Sequence, residues 1–182
     1  GTWREIQDKL IVPKNQLIEL TKGSLTLGNL IVEPFAVSHD AADPIGINVF
    51  AGKDKATVVT DTGVISDSIL RRMDDTTLLV LEANYDPHML RFGPYQPFLK
   101  QRVASDEGHL SNEMAAQALL MMNRPDFMQV ILAHRSENNN NAVLVTQTIG
   151  KMLVDGGVRI GPEMKLQHGQ PNEIVSMKSV KR

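Results

Sequence analysis

Cysteine is absent from this chain, and aromatic side chains make up only 4% of its 182 residues. The first absence excludes a disulfide framework and a thiolate metal site. Any metal would have to be held by imidazole and carboxylate, donors that suit zinc, manganese or iron. The second leaves the core to Leu, Ile, Val and nine Met. Charge of one sign is lacking as well. A net charge of -2, with 22% charged residues, excludes a strongly basic nucleic-acid module but leaves room for a local basic groove. No apolar run approaches the roughly 18–20 residues that a membrane span needs. What is present is a 42% hydrophobic composition over a length that can make one domain, residues 1–182, with a real core.

The pattern along the chain changes once. Residues 1–22 read as helix or loop, with Trp3–Leu10 and Gln16–Leu20 separated by a break at Pro13. Gly23 and Gly28 flank a short hairpin, Ser24–Leu27 and Leu30–Val37. A loop follows at 38–44 by its Asp and Pro content. Strands Ile45–Ala51 and Lys55–Thr60 then complete a β-meander. Beyond Gly63 helix and strand alternate. Ser66 and Asp67 cap a helix to about Met73, with Ile69, Leu70 and Met73 on one face. Thr76–Leu81 is continuously apolar and reads as a central strand covered on both faces. Short helices are expected at Pro87–Arg91 and Pro97–Ala104. Ser111 caps a helix that turns Ala115, Ala118, Leu119 and Met122 inward. Phe127–Leu132 is a further buried strand, 139–153 a helix, and Val158–Val175 a set of short strands. The basic end at 178–182 reads as frayed. This order predicts an α/β fold.

Polar residues collect where the strands end. Thr57-Val58-Val59-Thr60-Asp61-Thr62-Gly63 runs from a β-branched strand into a carboxylate, with Gly63 permitting a sharp exit. Asp61 thus sits at the C-terminal edge of the sheet, where open α/β sheets carry their chemistry. His39, Glu82 and His134 occupy comparable positions, and His109 precedes the helix capped by Ser111. Each also has a plain structural role open to it, as a cap, a turn residue or a solvated side chain. Taken together they match what a dinuclear hydrolytic site requires, since two cations can share the two oxygens of one carboxylate.

The motifs Ser38-His39-Asp40-Ala41-Ala42-Asp43-Pro44-Ile45-Gly46, Thr60-Asp61-Thr62-Gly63, Leu81-Glu82-Ala83-Asn84-Tyr85-Asp86, Gly108-His109-Leu110-Ser111-Asn112-Glu113 and His134-Arg135-Ser136-Glu137-Asn138-Asn139 carry a resemblance. In this order they are similar to those of metallo-β-lactamase-fold hydrolases, and most of all to the YycJ (WalJ) branch of DNA exonucleases in Gram-positive bacteria. The resemblance implies a four-layer αββα sandwich and a cytoplasmic enzyme holding two divalent metal ions. It implies that His39 serves one metal, His134 the other, and Asp61 both. The attacking species would be a hydroxide made on the cations near neutral pH. It also implies, more loosely, that Glu82 and His109 form a proton-relay pair, His109 acting as general acid to a departing alkoxide. Ser111, with Asn112 beside it at a helix N-terminus, would hold a phosphate oxygen of the substrate. For Ser111 the simpler role as a cap stays open.

One family element is missing. The early His-x-His-x-Asp-His loop has no counterpart, because no two histidines here stand two residues apart. Gly1 is also not a natural start. The expectation is therefore an incomplete sandwich, matching the C-terminal two-thirds of a longer protein. Such a chain supplies three of the expected metal ligands, so a fully loaded two-metal centre is not expected of it alone. Sheet faces left uncovered would favour self-association. Three functions remain in play: a DNA exonuclease, a cyclic-nucleotide phosphodiesterase or small-ester hydrolase on the same fold, and a metal-free structural or interaction module.

Overall fold

A computed structural model describes residues 2–18, 23–170 and 173–176. The chain begins with a short helix α1 (Thr2–Ile6) and two single 3-10 turns (Gln7–Lys9 and Lys14–Gln16), short of the helix expected as far as Leu10. The expected segment Gln16–Leu20 runs into residues outside those described, as does the basic end at 178–182. A meander follows: β1 (Leu25–Leu27), β2 (Leu30–Ala36), β3 (Ile45–Ala51) and β4 (Asp54–Val59), each antiparallel to the next. Then come α2 (Asp67–Met73), β5 (Leu78–Glu82), α3 (Pro87–Phe92), α4 (Pro97–Val103), α5 (Asn112–Met121), β6 (Met128–Ala133), α6 (Ala142–Asp155) and β7 (Met164–His168). Strands β4 to β7 run parallel, and the seven strands lie in one sheet in sequence order. Of the short strands expected across 158–175, β7 is the one that forms among the described residues, with a bridge between Ile160 and Met164 before it.

That order decides where the helices go. Parallel neighbours joined consecutively take right-handed crossovers in the same sense, so α2, α5 and α6 land on one face of the sheet. Val59, Leu79, Leu81, Val130, Leu132 and Met164 point toward them. These side chains form one cluster with Ile69 and Met73 of α2, Ala115 and Leu119 of α5, and Val145, Ile149 and Leu153 of α6. Two helix starts follow the sequence, with Ser66 and Ser111 each accepting a hydrogen bond from a first-turn backbone N–H; α6 starts at Ala142, later than the expected 139, with Asn141 as its cap.

The opposite face corrects one expectation. The apolar β5 run predicts cover on both sides, but Leu78 and Val80 remain only half-buried. Register lines Pro34, Ile47, Val58, Val80 and Ile131 into one row across β2 to β6. Val58 in that row is 37% exposed, and Ile45 beside it 48%. The residues are apolar enough for burial, yet no described helix or sheet lies over them. Among the described residues this is one sheet with a helix layer, two of the four layers expected.

Candidate active site

The parallel strands deliver three of the expected residues to one edge. Val59, Leu81 and Leu132 are aligned by register, so Asp61, Glu82 and His134 emerge side by side at the C-terminal ends of β4, β5 and β6. The β2–β3 loop reaches the same edge because β3 begins where the antiparallel β4 ends, and it carries His39. Asp61 and His134 both have left-handed backbone conformations, with φ of 56° and 50°. Such values are uncommon for residues other than glycine, and two of them flanking one cleft mark backbone held for the sake of side-chain direction.

His109 arrives by another route. Two glycines let the loop before it pack closely, against the β4 exit at Gly63 and, at Gly108, against the end of α4. A Cβ on Gly63 would lie 2.2 Å from the Ser105 carbonyl oxygen, and one on Gly108 would lie 2.2 Å from that of Arg102. Gly63 is therefore needed for close backbone approach rather than for the sharp exit that its sequence position suggests, and its φ is not in the left-handed region. Beyond His109 the chain runs along the extension of β5, where Asn84 N–H donates to the Leu110 carbonyl and Asn112 N–H to that of Tyr85.

Glu82 is the hub. Its side chain is fully buried. Oε1 lies 2.7 Å from His109 Nδ1 and 3.2 Å from His134 Nδ1, while Oε2 accepts the Thr62 N–H at 3.1 Å. Burial alone would push the Glu82 carboxyl up, but hydrogen bonds from His109 and His134, and attraction to both rings, outweigh it and hold the group below its ordinary value. His134 moves the other way: the bond to Glu82 raises it above the usual imidazole range against the opposing effect of burial. A carboxylate behind Nδ1 fixes the proton there, so Nε2 of each ring is left to face the cleft.

Asp61 lies at the mouth, its side chain 46% exposed, with Oδ1 3.6 Å from Nε2 of both His39 and His134. His39 is backed by its own carboxylate: Nδ1 sits 2.8 Å from Asp40 Oδ1. The Ala41 N–H also approaches that nitrogen, at 3.2 Å. One nitrogen cannot both donate and accept, and the shorter, charge-assisted contact assigns the proton to Nδ1. Asp40 in turn receives both arms of Arg102, Nη2 at 2.9 Å from Oδ1 and Nε on Oδ2. The Arg102 bond, with its charge and that of His39, outweighs desolvation and holds the Asp40 carboxyl down to about 2.

The donor set suits a divalent cation. Ligand atoms of His39, Asp61 and His109 lie within 4.8 Å of one another, as do those of Glu82, His109 and His134. Glu82 is not a ligand in the second group, since both its oxygens are already engaged by three N–H donors. Imidazole Nε2 atoms around a half-exposed carboxylate, with the histidines oriented by carboxylates behind them, form the ordinary protein contribution to zinc, manganese or iron.

The remaining expected residues fall elsewhere. Ser111 is buried, and its hydroxyl accepts the Met114 N–H at 3.1 Å, the capping role left open by the sequence. Asn112 is wholly buried, and its amide pairs reciprocally with Asn140, at 3.1 and 2.8 Å. Both side chains are thus engaged within the fold, and a substrate contact by Ser111 or Asn112 stays a proposal. Three supporting residues escape sequence reasoning. Thr62 accepts the Ser38 N–H and donates to the Val64 carbonyl, tying the His39 loop to the Asp61 turn. Asn84 donates to the His134 carbonyl at 2.8 Å, holding the strained residue in place. Arg102, which the sequence does not single out, grips Asp40. The motifs contain Thr62 and Asn84, but nothing in the sequence shows which backbone group each would meet.

Comparison with known proteins places the chain in a family. The family described as beta-lactamase superfamily domain matches residues 3–134. Exodeoxyribonuclease YycJ of Bacillus anthracis is 32% identical over 93% of this chain, and exodeoxyribonuclease WalJ of Streptococcus pneumoniae serotype 2 is 31% identical over 94%. The chain spans 65% of the length of each of these relatives. Among solved structures, the metallo-β-lactamase-fold protein YhfI of Bacillus subtilis superposes with a TM-score of 0.54 at 15% identity, covering 80% of this chain and 50% of that one. Zinc-bound PqqB of Methylobacterium extorquens gives 0.52 at 15% identity, covering 80% and 47%.

Proposed function

We propose that this chain, which belongs to the β-lactamase superfamily in its metallo-β-lactamase fold, carries the chemistry of a hydrolase that removes nucleotides from a DNA end. The observation that carries the reading is the convergence of His39 Nε2 and His134 Nε2 on Asp61 Oδ1, each at 3.6 Å, with Glu82 behind. His39, Asp61 and His134 would be ligands to divalent cations, three of those that a full two-metal centre would need. Bound there, the cations would supply Lewis acidity toward a phosphodiester and lower the pKa of an attacking water.

The chain's own residues then have separable tasks. Asp40 and Glu82 keep Nδ1 of His39 and of His134 protonated, so that both rings present Nε2. His109 is held by the same Glu82 oxygen, with its own Nε2 toward the cleft. In its imidazolium form it carries a proton on Nε2 that it can give to the departing alkoxide. The substrate class is supported by the two relatives named exodeoxyribonuclease. Incubation with end-labelled DNA and Mn²⁺ or Zn²⁺ should release mononucleotides progressively from an end. Turnover of a cyclic nucleotide or a small ester, with no cleavage of DNA, would move the same site to a different substrate. Absence of stoichiometric metal after purification in Zn²⁺ or Mn²⁺, together with no hydrolysis of any of these, would leave only a structural module.

A further inference from the structure

The connection between β5 and α5 has a composition unlike the rest of the chain. Eight aromatic residues occur in total, and four of them, Tyr85, Phe92, Tyr95 and Phe98, fall within residues 85–98. Residues 87–105 include Arg91, Lys100 and Arg102 but no carboxylate, although the chain as a whole carries a net charge of -2. Helices α3 and α4 fold this stretch into a hairpin with its own small core of Tyr85, Leu90 and Val103, against which Tyr95 and Leu99 pack. That core accounts for two of the four aromatics. Phe92 and Phe98 remain 67% and 70% exposed.

Phe92 is exposed but not loose. The His88 ring packs on it at 4.6 Å between centroids, and the Arg91 guanidinium lies 5.3 Å from its centre. Lys100 Nζ donates to the Arg91 carbonyl at 2.8 Å, fastening the two helices together at this point. The hairpin also touches the site on both sides. Arg102 grips Asp40 beside His39, and the Val103 carbonyl accepts the N–H of His109. On the other side the Tyr95 hydroxyl meets Asn138, four residues beyond His134.

We infer that the α3–α4 hairpin is a stacking platform for single-stranded DNA at the rim of the active site, with Phe92 and Phe98 receiving bases and Arg91 and Lys100 drawing in the phosphates. The inference rests on the nuclease reading. Every base offers a π-face, so exposed phenylalanines bind strand without regard to sequence, and nearby cations add backbone attraction. An isolated exposed aromatic requires no explanation. Two of them on a carboxylate-free, cationic hairpin that abuts the loops of His39 and His134 fit a strand passing into the cleft.

The test separates binding from chemistry. A fluorescent oligothymidine would be titrated with the protein in EDTA, where no cleavage occurs, and binding followed by anisotropy. The Phe92→Ala/Phe98→Ala double variant should bind at least about tenfold more weakly than the parent, since each stacked base contributes appreciably. Phe92→Tyr/Phe98→Tyr should restore binding, because tyrosine keeps the π-face. Replacing Arg91 and Lys100 with Gln should shallow the dependence of log affinity on log salt by about 0.7 for each phosphate that is no longer neutralised. His134→Ala should leave this binding intact while lowering nuclease activity. Binding without nuclease activity would uphold the platform and overturn the nuclease reading. Nuclease activity with an unchanged KM for single strands in the double alanine variant would do the reverse. Loss of a protein dimer in that variant, with DNA affinity unaltered, would identify the two phenylalanines as a protein contact and sink the inference.

Discussion

Glu82 Oε1 stands 3.2 Å from Nδ1 of His134, and that contact determines which nitrogen of His134 is offered to the cleft. The same oxygen is 2.7 Å from His109 Nδ1, so one buried carboxylate sets the tautomer of two imidazoles. Glu82→Gln should scramble both, because an amide can donate as well as accept. The expected outcome is a loss of about 10–100-fold in metal affinity or turnover, the range typical of outer-shell partners of metal-bound histidine. Nitrogen NMR of the metal-free protein supplies an independent readout: His134 should be the Nδ1–H tautomer in the parent and a mixture in the variant. A single unchanged tautomer would overturn the assignment.

Asp61 combines a strained backbone with an exposed side chain, and the two can be tested apart. Asp61→Ala would add a left-handed alanine, a cost of about 1 kcal/mol or more, and confuse stability with function. Asp61→Asn keeps a residue that tolerates φ of 56° and removes only the anionic oxygen. We expect hydrolysis to fall by at least about a hundredfold, since the anionic oxygen proposed to hold the cations is removed. The melting temperature of the metal-free form should move by no more than a few degrees. Full activity in Asp61→Asn would remove this residue from the centre.

The sequence is most informative where one residue type has one physical use. Ser66 and Ser111 read as helix caps and are caps. Asp61, Glu82 and His134 read as strand ends, and register brings them to one edge. Legibility fails where the outcome depends on a distant partner. The apolar β5 run looks the same whether one or both faces are covered. Asn112 at a helix N-terminus looks like an anion contact until Asn140, 28 residues later, claims its amide. Gly63 resembles a turn glycine, yet the backbone that crowds it lies beyond residue 100.

The Asn112–Asn140 pair yields its own prediction. Asn140 Nδ2 also donates to the carbonyls of Ala83 and Asn84 at 3.0 and 3.1 Å, joining the end of β5 to the starts of α5 and α6. Either Asn→Ala substitution should cost about 1–3 kcal/mol by leaving buried polar groups unpaired. The double variant should cost less than the sum, because the amides lose the same partnership. Denaturant unfolding measures all three. Additive costs, or a KM effect at unchanged stability, would return Asn112 to a substrate-contact role.

The half-covered face of the sheet predicts association. Pro34, Ile47, Val58, Val80 and Ile131 form a continuous apolar row, and patches of this kind on isolated proteins mark contact surfaces. The isolated chain should show concentration-dependent dimers or larger species by light scattering in the micromolar range. Val58→Lys places a charge mid-row at a position already 37% exposed, so it should favour monomer without unfolding the sheet. A parent chain that stays monomeric throughout would show that this face does not self-associate.

His168 gives the acid limb of stability a specific origin. Its Nε2 lies 2.8 Å from the Thr146 hydroxyl, linking β7 to α6, while Nδ1 is buried without a hydrogen-bond partner. Burial, assisted by the charge of Arg135, holds this imidazole below its ordinary value of 6.5. The folded state thus binds a proton less readily than the unfolded chain. Its contribution to stability is fully present above about pH 6.5 and declines as pH falls through the lower folded value. His168→Gln can still bond Thr146 but cannot take up that proton, so it should flatten the slope of stability against pH just below 6.5. Thermal unfolding of the metal-free protein in EDTA from pH 7.5 to 5 measures the slope, and the difference between parent and variant cancels the contribution of the other histidines. An identical slope in the variant would move the acid sensitivity to another group.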